Sequence, residues 1–458
     1  MAQREHWTSR FGFVLAAAGS AVGLGNIWKY PHMAGSNGGA AFTVVYLICI
    51  AIVGLPIVIG EFVIGRRTQL SPVGAFDTLS PRSKWKYVGF LGVASAFVIL
   101  SFYSVVGGWT LRYTFMALSG NFAELAGNSA LSSETFEKFV SSSWNPVFWH
   151  LIFMGLCIAI ILNGVKSGIE RWSKIMMPLI LAILVVLVVR GITLPGGMEG
   201  VKFLFLPKFS DLTASSIVLA LGHAFFTLSL GMGTMITYGS YLERGQNLLS
   251  SSLWVVAVDT MIAMLAGVAI FTSVFAMGAD PAEGPGLIFV VLPTVFPQMP
   301  GGVVWGTMFF FLLFMAALTS AISILEVVTA YFIDQRGWTR ARATFIFGSV
   351  IGVVGLFCSL SLGGFTDFKT LFNLSFFDFL DYASSKYMLP IGGMLTAIFI
   401  MKKWGIPAFL TELHEGIEGK FRIPVRAALV LLSIAAFVVF MIILNEIWAV
   451  ITGHPLVF

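Results

Sequence analysis

The sequence predicts an all-α integral membrane protein of eleven transmembrane helices, built as a five-plus-five inverted repeat followed by one additional span. Three observations predict it: the composition, the spacing of the apolar runs, and a matching irregularity in the first and sixth runs. Of 458 residues, 57% are hydrophobic and only 11% charged. A soluble domain of this length could not cover that much apolar surface with so few polar groups. Runs long enough to cross a bilayer, about 20 residues each, fall at 11–33, 40–64, 88–118, 147–163, 173–190, 214–238, 250–277, 303–333, 343–360, 373–401 and 427–451. The chain therefore reads as a single transmembrane domain over 1–458, with a first repeat at about 11–190, a second at about 214–401 and an additional helix at about 427–451.

Span one carries the irregularity. Its run FGFVLAAAGSAVGLGNIW places Gly19, Gly23 and Gly25, then Asn26, in the middle of an apolar helix. Each Gly costs on the order of 1 kcal/mol of helix stability relative to Ala, and the Asn amide finds no partner in hydrocarbon. Close packing through Gly19-x-x-x-Gly23 explains the glycines in part, but it does not explain Asn26.

Spans two to five fix the orientation. Lys and Arg beside membrane spans are retained on the cytoplasmic side. With the N-terminus inside, the inner segments hold 19 of the 27 basic residues, among them Arg66, Arg67, Lys174, Arg340 and Lys402. The segment 119–146 has Glu124, Glu134 and Glu137 against Lys138 alone, as an external loop should. An odd number of spans then places the C-terminus outside. The same bias explains the net charge of +5, which would otherwise suggest a nucleic-acid partner; none is expected. Cys49, Cys157 and Cys358 are odd in number, lie within apolar spans and show no metal spacing, so they read as packing residues. The opening MAQREH followed by LAAAGSA imitates a cleaved leader, but its apolar run is short and ten further spans follow. Nothing in the sequence determines the oligomeric state.

Span six repeats the irregularity of span one. It reads ALGHAFFTLSLGMGT from Ala220 to Thr234, again with glycines and hydroxyl residues at membrane depth. Gly-interrupted spans at corresponding positions of two halves point to a transporter of inverted repeats with its site at the midplane. Where a helix unwinds inside a protein-lined cavity, free N–H groups and carbonyls face the same space. That inventory suits a zwitterionic amino acid together with a small hard cation. A channel would also place polar groups in apolar spans, without requiring two broken helices. An intramembrane enzyme would need an activated nucleophile or a metal cluster, and the spans show neither a Ser/His nor a His-x-x-x-His arrangement.

At these residues the chain resembles a known family. REHW at 4–7, GSAVGLGNIW at 19–28, NGGAAF at 37–42, FFTLSLGMG at 225–233, ITYGSY at 236–241 and LTSAIS at 318–323 resemble the neurotransmitter:sodium symporters, most of all their bacterial amino-acid transporters. The resemblance implies a symporter in a bacterial plasma membrane, taking up neutral, hydrophobic L-amino acids with sodium by alternating access.

It also implies a site. One sodium would be held by the carbonyl of Ala21, the side chains of Asn26 and Asp259, the carbonyl and hydroxyl of Thr227, and the substrate carboxylate. A second would be held by the carbonyls of Gly19, Val22 and Ala316 with the hydroxyls of Thr319 and Ser320. The substrate carboxylate would meet the N–H groups of Leu24 and Gly25 and the Tyr103 hydroxyl. Its ammonium would meet the carbonyls of Ala21, Phe226 and Thr227 with Ser229. Ile99, Tyr103, Phe226, Ser229, Met232, Ser320 and Ile324 would surround its side chain. Gly23 stands where monoamine-transporting members carry an Asp, so a substrate lacking a carboxylate should be rejected.

Gates are implied as well. Lys29 and Asp381 match an outer ion pair, usually Arg with Asp, above an aromatic lid of Phe226 and Tyr103. Arg4 and Asp334 match an inner pair, with Trp7 and Tyr241 beside them. Gly168 and Pro178 match a Gly-x9-Pro motif linked to unwinding of span five. The chain departs from chloride-dependent members: Tyr46 and Thr227 match, but His223 replaces a Gln, Ala263 a hydroxyl residue and Asp259 an Asn. A fixed carboxylate at 259 predicts that chloride is not used, and it offers a group that could carry a proton back when sodium leaves.

Overall fold

The computed structural model describes residues 5–282, 286–365, 369–417 and 422–452, without the side chain of Phe372. Every regular element among the described residues is helical. Among the described residues, eight helices are long and apolar enough to cross a membrane: Ala40–Thr68, Lys86–Leu118, Asn145–Leu162, Val165–Ile192, Leu248–Ala276, Gly302–Arg336, Arg340–Leu360 and Val425–Thr452. Two bent pairs raise that number to ten, Arg10–Ala21 with Gly25–Ser36 at 49° and Phe376–Trp404 with Ile406–His414 at 104°. The expected sixth span does not meet the length test. Its two pieces, Ala214–Thr227 and Thr234–Gly239, are separated by a stretch that is not helical.

Both interruptions have local causes. The first helix starts on Ser9, whose side chain accepts from Gly12 N, and ends at Val22, which is extended. The chain resumes helical form only at Gly25. The first half of span six begins with a reciprocal cap in which Thr213 and Ser216 satisfy one another's backbone N–H. It stops at Thr227, and Ser229, Gly231 and Gly233 then take positive φ of 53°, 75° and 76°. Glycine adopts this region without penalty, whereas Ser229 does so at a cost that its surroundings must offset.

Around the broken pair stand the long helices. Lys86–Leu118 and Gly302–Arg336 have 33 and 35 residues, about 50 Å of helix each at 1.5 Å per residue. Both are largely enclosed by other helices, whereas Val425–Thr452 is the least enclosed of the long spans and turns most of its surface outward.

Several boundaries differ from the hydropathy reading. Span five begins at Val165 rather than 173, through a π-helical turn Val165–Glu170 that contains Gly168. The segments expected as loops contain amphipathic helices at Pro72–Leu79, Ser129–Ser141, Gly197–Phe205 and Ile406–His414. Apolar runs mark what lies in hydrocarbon, so a short helix with one polar face escapes them.

Candidate functional site

The two breaks lie side by side and enclose a cavity of about 10 Å³. Ala21, Gly23 and Gly25 from span one, Phe226, Ser229 and Met232 from span six, Ile99 and Tyr103 from span three, and Ser320 and Ile324 from span eight line it. All seven residues expected around a substrate side chain are therefore on its wall. Leu24 and Thr227 lie just behind, buried. The Leu24 amide donates to the Tyr103 hydroxyl at 3.1 Å, so these two groups expected at the carboxylate are already adjacent.

Gly23 shows why no side chain stands there. A Cβ at this position would lie inside van der Waals contact of Ser320 Oγ and 2.6 Å from the Tyr103 hydroxyl. Gly25 is less confined, with Thr227 Cα at 3.3 Å and Phe226 Cδ1 at 3.4 Å from such a Cβ.

Beside the cavity, Asn26 joins span one to span seven. Its Nδ2 donates to the Asp259 carboxylate at 2.8 Å and to the Asp259 carbonyl at 3.0 Å, while its Oδ1 accepts from Gly23 N at 3.0 Å. The Thr227 hydroxyl donates to the same Asp259 Oδ1 at 3.2 Å. Asp259 Oδ2 is buried without a hydrogen-bond partner among the described residues. A buried carboxylate oxygen lacking a donor is costly unless a cation meets it. This oxygen-rich set suits a small hard cation.

A second set of oxygens lies between spans one and eight. Thr319 Oγ1 is 2.9 Å from the Ala316 carbonyl and 3.3 Å from that of Val22. Ser320 Oγ is 3.3 Å from the Val22 carbonyl. Gly19 packs against the same place, since a Cβ there would be 3.5 Å from Thr319 Cβ. Four of the five expected members, Val22, Ala316, Thr319 and Ser320, thus bring neutral oxygens from two helices together, with Gly19 packed beside them.

On the far side of Phe226 a larger pocket of about 380 Å³ opens, lined among others by Lys29, His223, Asp381, Lys386 and Glu446. Phe226 lines both spaces and so separates them. Lys29 Nζ is 2.8 Å from Asp381 Oδ1 and 3.9 Å from the centre of the Phe226 ring. At the opposite end, Trp7 is buried, its amide donating to the Tyr241 carbonyl at 3.1 Å and its indole N–H to the Tyr238 carbonyl at 3.0 Å. Asp334 accepts from Ser71 N at 2.6 Å. Arg4, its expected partner, lies outside the described residues. Gly168 sits where a Cβ would strike the Ile160 carbonyl, and Pro178 interrupts the hydrogen bonding of span five from inside the helix.

His223 is buried among Tyr30 and Tyr46, with ring centroids 6.1 Å and 5.0 Å away, and neither of its nitrogens has a hydrogen-bond partner among the described residues.

Three residues at these sites were not singled out from the sequence. The Ser20 carbonyl accepts from both Ser229 at 3.1 Å and Ser320 at 2.8 Å, and its hydroxyl meets that of Ser323 at 2.7 Å. Glu61, buried in span two, accepts from Gly231 N at 2.8 Å and so holds the break of span six. Glu326 in span eight accepts from the Tyr241 hydroxyl at 2.5 Å and from both terminal nitrogens of Arg340. For Glu61 and Glu326 a signal was present: a carboxylate inside an apolar span is by default functional.

Comparison with known proteins identifies the family. The model of the Sodium:neurotransmitter symporter family matches residues 4–146 and 130–454. The sodium-dependent transporter YhdH of Bacillus subtilis is 42% identical over 410 residues, 90% of each chain. Sodium- and chloride-dependent GABA transporter 2 of Rattus norvegicus is 25% identical over 91% of this chain and 76% of its own. The crystal structure of MhsT in complex with L-phenylalanine superposes with a TM-score of 0.89 at 43% identity, covering 96% of this chain and 99% of that one. The chain is a multi-pass membrane protein of the Sodium:neurotransmitter symporter family, a sodium-dependent transporter rather than an enzyme.

Proposed function

We propose that this transporter imports neutral, hydrophobic L-amino acids in symport with sodium, by alternating access across a bacterial plasma membrane. The observation that carries the reading is the cavity between the two breaks, whose wall is apolar at Ile99, Phe226, Met232 and Ile324 and polar at Ser229, Ser320 and Tyr103. The match to MhsT, a structure holding L-phenylalanine, supports the same class of substrate. Counting the two pieces of span six as one crossing gives eleven, arranged as repeats at about 11–190 and 214–401 with 427–451 added. The N-terminus is then cytoplasmic and the C-terminus outside.

Two sodium ions enter with the substrate. The first, at Asn26, Thr227 and Asp259, shares the substrate carboxylate, so each ligand favours the other's binding. The second, at Gly19, Val22, Ala316, Thr319 and Ser320, ties span one to span eight, and its loss to the cytoplasm frees span one to swing. Lys29 with Asp381 closes the outer side over Phe226 and Tyr103. Arg4, Trp7, Tyr241 and Asp334 close the inner side, and unwinding between Gly168 and Pro178 accompanies its opening. A Lys at 29 is a point charge without the fork of Arg, so this outer closure is held by fewer bonds than an Arg would make.

Chloride has no role in this reading. The Asp259 carboxylate supplies the negative charge beside the first sodium, and it returns protonated once sodium has left. The test is direct binding of the twenty amino acids to the purified protein with and without sodium, followed by uptake into proteoliposomes. Sodium-dependent binding of phenylalanine, leucine or tryptophan is expected; preference for glutamate or lysine, or binding indifferent to sodium, would refute it.

A further inference from the structure

A second polar knot lies at the cytoplasmic end of span two, and none of its residues lines the cavity. The Arg66 side chain is fully buried, and so, nearly, is that of Glu412. Arg66 Nε donates to Glu412 Oε1 at 2.7 Å, and Nη2 donates to the Glu412 carbonyl. Nη1 donates to the Gln246 carbonyl at 2.6 Å and reaches the Glu415 carbonyl at 3.4 Å. One guanidinium thus binds two segments remote in sequence: the short helix Ile406–His414 with the residues after it, and the loop that follows span six. Three residues on, Gln69 Nε2 donates to the Leu242 carbonyl at 2.8 Å. Span two therefore grips both ends of the loop 242–246. Gly416, at a φ of +84°, lets the Gly245 carbonyl come close enough that a Cβ there would strike it.

The residue before that loop is Tyr241. Its carbonyl receives the Trp7 amide and its hydroxyl binds Glu326. The packing of span two on the inner half of span six does not depend on Arg66, because glycines already secure it: a Cβ on Gly239 would lie 2.7 Å from the Phe62 carbonyl, and one on Gly65 would lie 2.9 Å from Ser240 N. What the guanidinium adds is the position of the chain beyond Tyr241.

We propose that Arg66, with Gln69, is a positioning residue for closure of the cytoplasmic side: by fixing the carbonyls of Gln246 and Leu242 it sets Tyr241 where the N-terminal segment docks at Trp7. The proposal rests on reading Trp7 and Tyr241 as part of the inner gate. A guanidinium fork suits the task because it serves several carbonyls at once, and buried carbonyls without donors are costly. Arg67, 3.6 Å from Glu412 Oε2, leaves that carboxylate a partner when Arg66 is changed.

The experiment uses the full chain in proteoliposomes, with Arg66→Gln and Gln69→Leu compared to the parent. Two readouts are followed: uptake kinetics, and tryptic cleavage after Arg244, which is exposed in the gripped loop. Arg66→Gln should keep sodium-dependent substrate binding within about threefold, lower the maximal uptake rate about tenfold at unchanged KM, and speed cleavage after Arg244 about tenfold in sodium. Gln69→Leu, which disturbs no buried charge, should move both readouts the same way by about threefold. Unchanged cleavage and uptake in both variants, or a loss of substrate affinity in step with uptake, overturns the proposal. Trp7→Ala tests the gate reading apart: if it leaves uptake and inner accessibility untouched, that reading falls and the proposal with it.

Discussion

Gly23→Ala should weaken substrate and sodium binding together, because one methyl group displaces the two hydroxyls that border the break of span one. The added carbon would lie inside contact distance of Ser320 Oγ and 2.6 Å from the Tyr103 hydroxyl, so both must withdraw by about 1 Å to reach ordinary separation. Ser320 Oγ now donates to the Ser20 carbonyl at 2.8 Å, and the Tyr103 hydroxyl accepts from Leu24 N at 3.1 Å. A displacement of that size breaks both bonds. At about 1 kcal/mol each, the loss is about 2 kcal/mol, or roughly 30-fold in an equilibrium constant. Ser320 is also a proposed ligand of the second sodium, so the sodium concentration for half-maximal binding should rise with the substrate Kd. Equilibrium binding of a labelled hydrophobic amino acid across a sodium titration measures both. Gly23→Ala with Ser320→Ala removes the nearer clash, so the pair should cost less than the sum of its single changes. A folded Gly23→Ala protein whose substrate and sodium affinities stay within about threefold of the parent would refute the packing argument at its source.

The remaining predictions concern ions and gates. Thr319→Ala with Ser320→Ala removes two hydroxyl oxygens from the second sodium set and should raise the sodium requirement of uptake by about tenfold or more; a sodium titration of the double mutant checks it. Replacing chloride by gluconate should leave parent uptake unchanged, and an acidic interior should speed turnover by supplying the proton that Asp259 carries back. A chloride requirement in the parent sinks the charge-replacement argument, while indifference to inner pH sinks only the proton return. His223→Gln with Asp259→Asn and Ala263→Ser should make uptake chloride-dependent, read as the ratio of rates with and without chloride. Asp381→Asn removes the negative charge 2.8 Å from Lys29 and should impair closure over the substrate, and Asp334→Asn should bias the carrier toward inward-open states. Thiol labelling of single cysteines on each face distinguishes the two, and equal labelling of both mutants and the parent would leave these charges as mere interfacial anchors.

Composition and the spacing of apolar runs settle the solvent, the helical class and the places where helices fail. Hydrocarbon tolerates only backbone that satisfies itself, so apolar runs of sufficient length had to be helices, and Gly19, Gly23 and Gly25 beside Asn26 had to mark an exception lined by protein. The motifs at 19–28, 225–233 and 318–323 contain most of the residues that line the cavity, while Ile99, Tyr103 and Ile324 lie outside them. The edges of the elements were less legible: span five starts at Val165 and Ile406–His414 is a helix because polar turns at membrane ends leave no hydropathy signal. Glu61, Glu326 and Arg66 were visible as charges near or within apolar runs, but a charge names no partner. Only the tertiary structure decided that Glu61 holds Gly231, that Glu326 holds Tyr241 and that Arg66 holds Gln246 and Glu412, from 170, 85, 180 and 346 residues away. The physical reason is that local pattern fixes what a segment must bury, whereas which buried oxygen meets which donor follows from how the helices cross, and that is a property of the whole packing.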